Sequence, residues 1–235
     1  MGTGTFPPTV SPAPQDPNQL PSGRHGLTRD EVVSHQRARV VEAVADVVSV
    51  AGYTATTVED IIVTARVSRR TFYDLHSNKQ DAFLMAYDAI SARLIQALGD
   101  VFEQEPGFTD RIRGLIATFL QFFHDHPPYA DVLLMEVMAA GPEAVERRNW
   151  TLDTLATLVL RAVDEGQPKR GRPPELVAEG IVGGMYEIVY ARVLQGRTAQ
   201  LLDLLPDLTF SALLPYVGQD AAVAEQRRLR RRVKR

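Results

Sequence analysis

The sequence contains no cysteine, which excludes disulfides, thiolate metal sites and a cysteine nucleophile. It has five histidines, and the one close pair, His124 and His126, stands two apart, a spacing that sends helical side chains to different faces. With nothing to complete a ligand set, no metal site is expected. No apolar run approaches the roughly 18 residues of a membrane-spanning helix, and the N-terminus lacks the basic-then-apolar pattern of a secretion signal. Phosphate-binding glycine motifs and a nucleophile elbow are missing as well. Glu136, Glu143, Glu146 and Asp153 fit a solvated helix face better than an acid–base pair. The chain is therefore expected to be soluble, cytoplasmic, without a cofactor and not an enzyme. Strand-like alternation is also lacking, so the expected fold class is all-α.

What is present begins with proline. Residues 1–21 hold six of the fifteen prolines and almost no charge, too little apolar surface to offset the entropy of ordering, so residues 1–27 are read as a disordered arm. Arg24, His25 and Arg29 could lengthen a basic arm toward a minor groove, although a solvated tail explains them as well. Thr28-Arg29-Asp30-Glu31 offers a capping box for a helix that ends at Ala51 before Gly52.

The stretch from Thr56 to Lys79 carries the chemistry. Thr57 can cap a helix from Val58 to about Ala65, whose Val58, Ile61, Ile62 and Ala65 recur at three and four residues. Ser68 can cap a second helix in which Phe72 and Leu75 anchor inward, leaving Arg69, Arg70, Thr71 and Tyr73 on other faces. Two short helices joined by so tight a turn form a helix-turn-helix, whose second helix enters the DNA major groove N-terminus first. Arginine there suits guanine O6 and N7, Thr71 and Tyr73 suit phosphates, and Lys79 adds a cation at the start of a helix capped by Ser77 or Asn78.

The flanking residues extend this pattern. Arg39, Val40, Ala43, Val47 and Val48 form an amphipathic first helix, followed by Gly52-Tyr53-Thr54-Ala55-Thr56-Thr57-Val58, Asp60-Ile61, Ala65, Val67-Ser68-Arg69-Arg70-Thr71-Phe72-Tyr73 and Lys79. From about His35 to Tyr87 the chain resembles the tetracycline-repressor (TetR) family of bacterial transcription regulators. The resemblance implies that Thr57, Tyr73 and Lys79 hold phosphates, that Arg69, Arg70, Thr71, Asp74 and Leu75 face base edges, and that Ser68 lies beside them. Two positions depart from it. Arg66 stands where the family usually has a turn glycine, and a non-glycine residue with positive φ costs on the order of 1 kcal/mol. His76 replaces an aromatic, and is expected to be partly buried and hydrogen-bonded.

Beyond the head the sequence remains helical. A long helix runs from about Lys79 to Phe102, another begins at a Thr109 or Asp110 cap, and Pro127-Pro128 ends it. Tyr129 to Ala140 follows, rich in Leu and Met; after Gly141-Pro142 a longer helix runs through Trp150 to Glu165, Gly166–Pro174 is an exposed basic loop, and a glycine-interrupted helix spans Glu175–Gln195. The final helix is expected from Pro206 to Pro215. The resemblance implies three segments after the arm: a helix-turn-helix DNA-binding head at 28–80, a helical effector-binding and dimerisation domain at 81–218, and a basic tail at 219–235. An apolar effector would be lined by Phe119, Phe123, Tyr129, Met135, Met138, Trp150, Met185, Tyr186 and Tyr190, side chains that equally suit a helical core. In the family the last two long helices pair across a two-fold axis, which makes Gly180, Gly183, Gly184, Leu208 and Leu213 the homodimer candidates. Charge is divided accordingly: 22–79 has eight basic against seven acidic residues, 80–224 eleven against twenty, and the last eleven residues seven against one. The expected function is a ligand-responsive repressor on a palindromic duplex. The competing reading is a helical module that binds a protein partner through its basic faces.

Overall fold

The computed structural model describes residues 28–166 and 175–233. Arg24, His25, the N-terminal arm and most of the expected basic loop lie outside these residues. The described residues form ten α-helices, one π-helical turn and one 3-10 segment, with no strand among them.

Helix α1 (Arg29–Ala55) starts at the expected box: the Glu31 amide donates to the Thr28 hydroxyl at 3.3 Å and the Thr28 amide to the Glu31 carboxylate at 2.6 Å. Its register breaks at Gly52, whose φ of 75° a side chain would strain. Helices α2 (Val58–Ala65) and α3 (Arg69–Leu75) then form the helix-turn-helix. Helix α4 (Lys79–Gln104), capped by Asn78, is the longest link between head and body. At one end its Phe83 meets Tyr53 edge-on at 4.9 Å. At the other, Phe102 lies under the guanidinium groups of Arg111 and Arg161 at 4.4 and 4.5 Å. The boundary expected after residue 80 falls in the first turn of α4, and the buried side chains of head and body, from Val44, Ile61 and Phe72 to Leu120 and Leu213, form one contiguous core.

The body comprises α5 (Phe108–Asp125), α6 (Pro127–Ala130), the π turn Asp131–Met135, α7 (Pro142–Gly166), α8 (Glu175–Leu194), the 3-10 segment Thr198–Leu204 and α9 (Leu205–Val217). Neither Thr109 nor Asp110 caps α5; Gly107 precedes it with no side-chain cap. Pro206 occupies the first turn of α9, and Pro215 sits inside it.

Helix α9 is not the last. The stretch expected to be a tail forms α10 (Gln219–Val233), which packs along α9. Ala222 and Leu229 are buried, and Glu225 accepts from Arg113 at 2.9 Å and Arg228 at 2.8 Å. The buried Ala222 and Leu229, with Glu225 on Arg113 and Arg230 on Asp207 of α9, dock the helix, a pattern that the charge run hides in the sequence.

Candidate nucleic-acid interface and ligand cavity

The helix-turn-helix is built from its caps. Thr57 and Asp60 satisfy each other: the Asp60 amide donates to the Thr57 hydroxyl at 3.2 Å, while the Thr57 amide and hydroxyl donate to the Asp60 carboxylate at 2.9 and 2.6 Å. These bonds hold the Asp60 carboxyl below its ordinary range, the hydroxyl contact foremost. Ile61, Ile62 and Ala65 are buried. The turn passes through Arg66 at φ 52°, ψ 42°, so the left-handed conformation that a glycine would supply is kept without one. The Arg39 guanidinium of α1 donates to the Arg66 carbonyl oxygen and braces the turn from below.

In α3, the Ser68 hydroxyl accepts the Thr71 amide at 2.9 Å and shares a 2.8 Å hydrogen bond with the Thr71 hydroxyl. Phe72 is fully buried and Leu75 half-buried, so the helix presents Arg69, Arg70, Tyr73 and Asp74 to solvent. Arg70 is 91% exposed, with Asp74 at 3.8 Å. Arg69 pairs with Glu59 of α2 at 3.1 Å and lies 5.8 Å from the Tyr73 ring centre. Ion pairs this exposed are weak and can be exchanged for phosphate or base contacts.

Two residues that the resemblance assigns to phosphates are already engaged. The Thr57 hydroxyl belongs to its cap. The Lys79 ammonium donates to the carbonyl oxygens of Tyr53, Thr54 and Thr56 at 2.8, 3.2 and 2.8 Å, filling its three donor positions at the C-terminal end of α1. Tyr73 keeps a hydroxyl with no hydrogen bond among the described residues. His76 is buried more deeply than expected and its Nε2 has no partner, because Phe72 and the head core surround the ring. Burial lowers its pKa.

Among the described residues, two small cavities lie between the helices of the body, beside a wider, more open hollow of about 390 Å³ at Ala97, Thr118, Gln121 and His126. The larger of the two, about 60 Å³, is lined only by apolar residues of α4, α5, α7, α8 and α9, among them Leu98, Ile116, Phe119, Leu155 and Met185. The smaller, about 20 Å³, shares Phe119 and Leu155 with it and adds Phe123, Tyr87, Thr151, Arg148 and Tyr186. Phe119, Phe123, Met185 and Tyr186 therefore sit where a ligand-lining role requires.

The other five effector candidates do not. Met138 and Trp150 are 61% and 62% exposed, on the outer sides of their segments. Met135 and Tyr190 are half-buried against the core and line neither cavity. Tyr129 ties helices together instead: its hydroxyl donates to Glu42 of α1 at 2.7 Å and accepts from Arg93 of α4 at 2.6 Å. Burial and the Glu42 carboxylate push its pKa up to about 12. Sequence reasoning favoured aromatics and Met, whereas branched aliphatics form most of the larger cavity wall. Arg148, the cation that lines the smaller cavity, could have been found from its place beside Thr151, Leu152 and Leu155 on α7.

The dimer candidates separate as well. Leu208 and Leu213 are buried inside the chain, because α9 packs against α10 and α5. Gly180, Gly183 and Gly184 are exposed, and a Cβ added to any of them would meet no atom within 4 Å. Leu176, Ile188 and Leu194 are exposed on the same helix.

These features define a class: a helix-turn-helix head carried by a long helix on an all-helical body with an apolar interior cavity. Solved structures of that class match the chain. One is the fatty acid degradation regulator FadR from Bacillus halodurans, at 18% identity over 75% of this chain and 97% of that one, with a TM-score of 0.68. Another is FadR from Bacillus subtilis in complex with stearoyl-CoA, at 17% over 74% and 96%, TM-score 0.65. A TetR-like transcriptional regulator from Rhodococcus sp. RHA1 gives 24% over 77% and 96%, TM-score 0.60. No protein-family model and no curated protein matches the sequence. The chain has the fold of the TetR-family transcriptional regulators.

Proposed function

We propose that the chain is a ligand-responsive transcriptional repressor that binds a palindromic operator as a homodimer and is released by a small molecule with a large apolar part. The observation that carries this reading is α3. On the TetR fold it is the helix that would enter the major groove, and it exposes Arg69, Arg70 and Tyr73 while Phe72 holds it to the core. The outward face of α8, with three uncovered glycines and exposed leucines, supports pairing with a second copy. Residues 28–80 then serve as the head and 81–218 as the effector-binding and dimerising body.

Release follows from a population shift. The free dimer holds its two α3 helices roughly 34 to 36 Å apart, one DNA turn. A ligand favouring another spacing draws the population away by its differential affinity, and a coupling of about 1 to 3 kcal/mol gives roughly 5- to 150-fold release. A chain of contacts supports such coupling. Tyr186, at the smaller cavity, donates to the Leu134 carbonyl at 3.1 Å. Two residues later Glu136 accepts the Tyr53 amide at 2.8 Å, next to the Gly52 break. A ligand must also open the packing, since the two small cavities are far smaller than the several hundred Å³ of a typical ligand site.

Selection from random duplex DNA at moderate salt, beside a sizing measurement of the free protein, tests the reading. A recovered palindrome with a dimeric mass is expected. A folded dimer that enriches no sequence before or after removal of any co-purified ligand would replace it with the protein-interaction module.

A further inference from the structure

Helix α10 sorts its residues by side. Ala222 and Leu229 are buried, Gln226 donates to Asp207 of α9 at 2.7 Å, and Glu225 meets Arg113 of α5 at 2.9 Å. At 3.6 residues per turn these four positions share one face, and Arg227, Arg228, Arg230 and Arg231 fall outside it, all exposed. Arg228 and Arg230 reach back to Glu225 and Asp207 at 2.8 and 2.7 Å, but both side chains stay half-exposed. Arg227 and Arg231, one turn apart in the middle of the outer face, have no ion pair among the described residues. In the sequence, Arg232, Lys234 and Arg235 continue the run, so 227–235 carries seven cations and no acid, after a body in which acids outnumber bases. The four described arginines cover about 6 Å of helix, one cation per about 1.5 Å, close to the one phosphate charge per about 1.7 Å along a duplex.

We infer that the outer face of α10 is a second nucleic-acid contact: it binds the phosphate backbone of a duplex without regard to sequence, independently of α3. Phosphate suits it because six of the seven cations in 227–235 are arginine, whose planar fork pairs with phosphate oxygens. A membrane suits it less. Ala222 and Leu229 are already buried in the protein, which leaves this face without the apolar stripe that an interfacial helix inserts. A protein partner would need an apolar or aromatic anchor, and the outer face has none. Attachment of this kind holds the protein on a duplex while α3 is out of register with its operator. The inference goes beyond the repressor reading and is tested apart from it.

The test is fluorescence anisotropy of the full chain on a labelled duplex of scrambled sequence, over a salt series. The comparison is with the double variant Arg227→Gln, Arg231→Gln. Its salt slope should be shallower by about 1.8 per copy bound, two contacts at about 0.9 each, and its affinity at low salt about tenfold weaker, with an unchanged thermal midpoint. Replacing both arginines by lysine should keep most of the slope. If the double glutamine variant melts early, each single variant should show about half the change. The head variant Arg69→Ala, Arg70→Ala should still bind the scrambled duplex through α10. A slope and affinity untouched by the double glutamine variant overturn the inference and leave the repressor reading standing. If operator selection fails while scrambled duplex still depends on Arg227 and Arg231, the repressor reading falls and the α10 contact stands. Phosphatidylglycerol vesicles and polyglutamate serve as rival anions, and tighter binding of either through the same two arginines overturns nucleic acid as the partner.

Discussion

The Lys79 ammonium, in the first turn of α4, donates to the Tyr53 carbonyl at 2.8 Å and lies 4.5 Å from the centre of the Tyr53 ring. Together with its bonds to Thr54 and Thr56, this fastens the positive start of the linking helix to the free carbonyls at the end of α1. The resemblance gives Lys79 a phosphate to hold. The geometry gives it a structural task first. Lys79→Ala should lower the stability of the chain by about 1 to 3 kcal/mol, the range for charged hydrogen bonds, measured by urea unfolding. A variant that kept full stability and lost only salt-dependent DNA affinity would return the residue to the phosphates.

Base reading should rest on α3. Arg70→Ala is expected to relax preference at one base pair per half-site and cost about 1 to 3 kcal/mol there, while Arg69→Ala does the same at a neighbouring position. Glu59, which pairs with Arg69 and adds a negative charge beside α3, should act in the opposite direction. Glu59→Gln should tighten binding to all duplexes several-fold at low salt, an effect that fades as salt rises. Band-shift titrations over a salt series distinguish the two kinds of change.

Asp131 opens the π turn and is partly buried; burial, helped by Glu136, pushes its carboxyl up to about 6. The folded chain therefore binds this proton more tightly than the unfolded one. Its contribution to stability is present below the unfolded value near 4 and is lost as pH rises through about 6. Asp131→Asn should be more stable than the wild type at pH 7, by roughly 2 kcal/mol, and the difference should vanish by about pH 4. Thermal midpoints of both proteins at four pH values suffice, and a constant offset would refute the assignment.

The α8 face offers a clean test of assembly. Since a Cβ at Gly183 meets nothing within 4 Å, Gly183→Arg should leave the protomer folded, even gaining about 1 kcal/mol of helix propensity. In the proposed dimer the same side chain obstructs the partner. Sedimentation should report a monomer, and operator affinity should fall with it. A dimer unaffected by Gly183→Arg would place the two-fold axis elsewhere.

Local signals were legible in the sequence because short-range physics writes them. The caps at Thr28, Thr57, Ser68 and Asn78, the buried stripe of Ile61, Ile62 and Ala65, and the break at Gly52 all follow from hydrogen-bonding groups and spacing within one or two turns. The all-α class and the helix-turn-helix followed from these. Partners distant in sequence stayed hidden. No local pattern ties Arg39 to the Arg66 carbonyl, Lys79 to Tyr53, Tyr129 to Glu42 or Glu136 to the Tyr53 amide, since each pair meets only after the helices pack. The same holds for orientation around a helix: packing turned Leu208 and Leu213 inward, Trp150 and Met138 outward, and Ala222 and Leu229 onto α9. Composition and spacing thus determined which helices form and which residues of α3 are exposed. Only the tertiary structure decided which charges are already paired and left Arg227 and Arg231 on the open side of α10, because those outcomes depend on contacts between helices rather than on the sequence of any one of them.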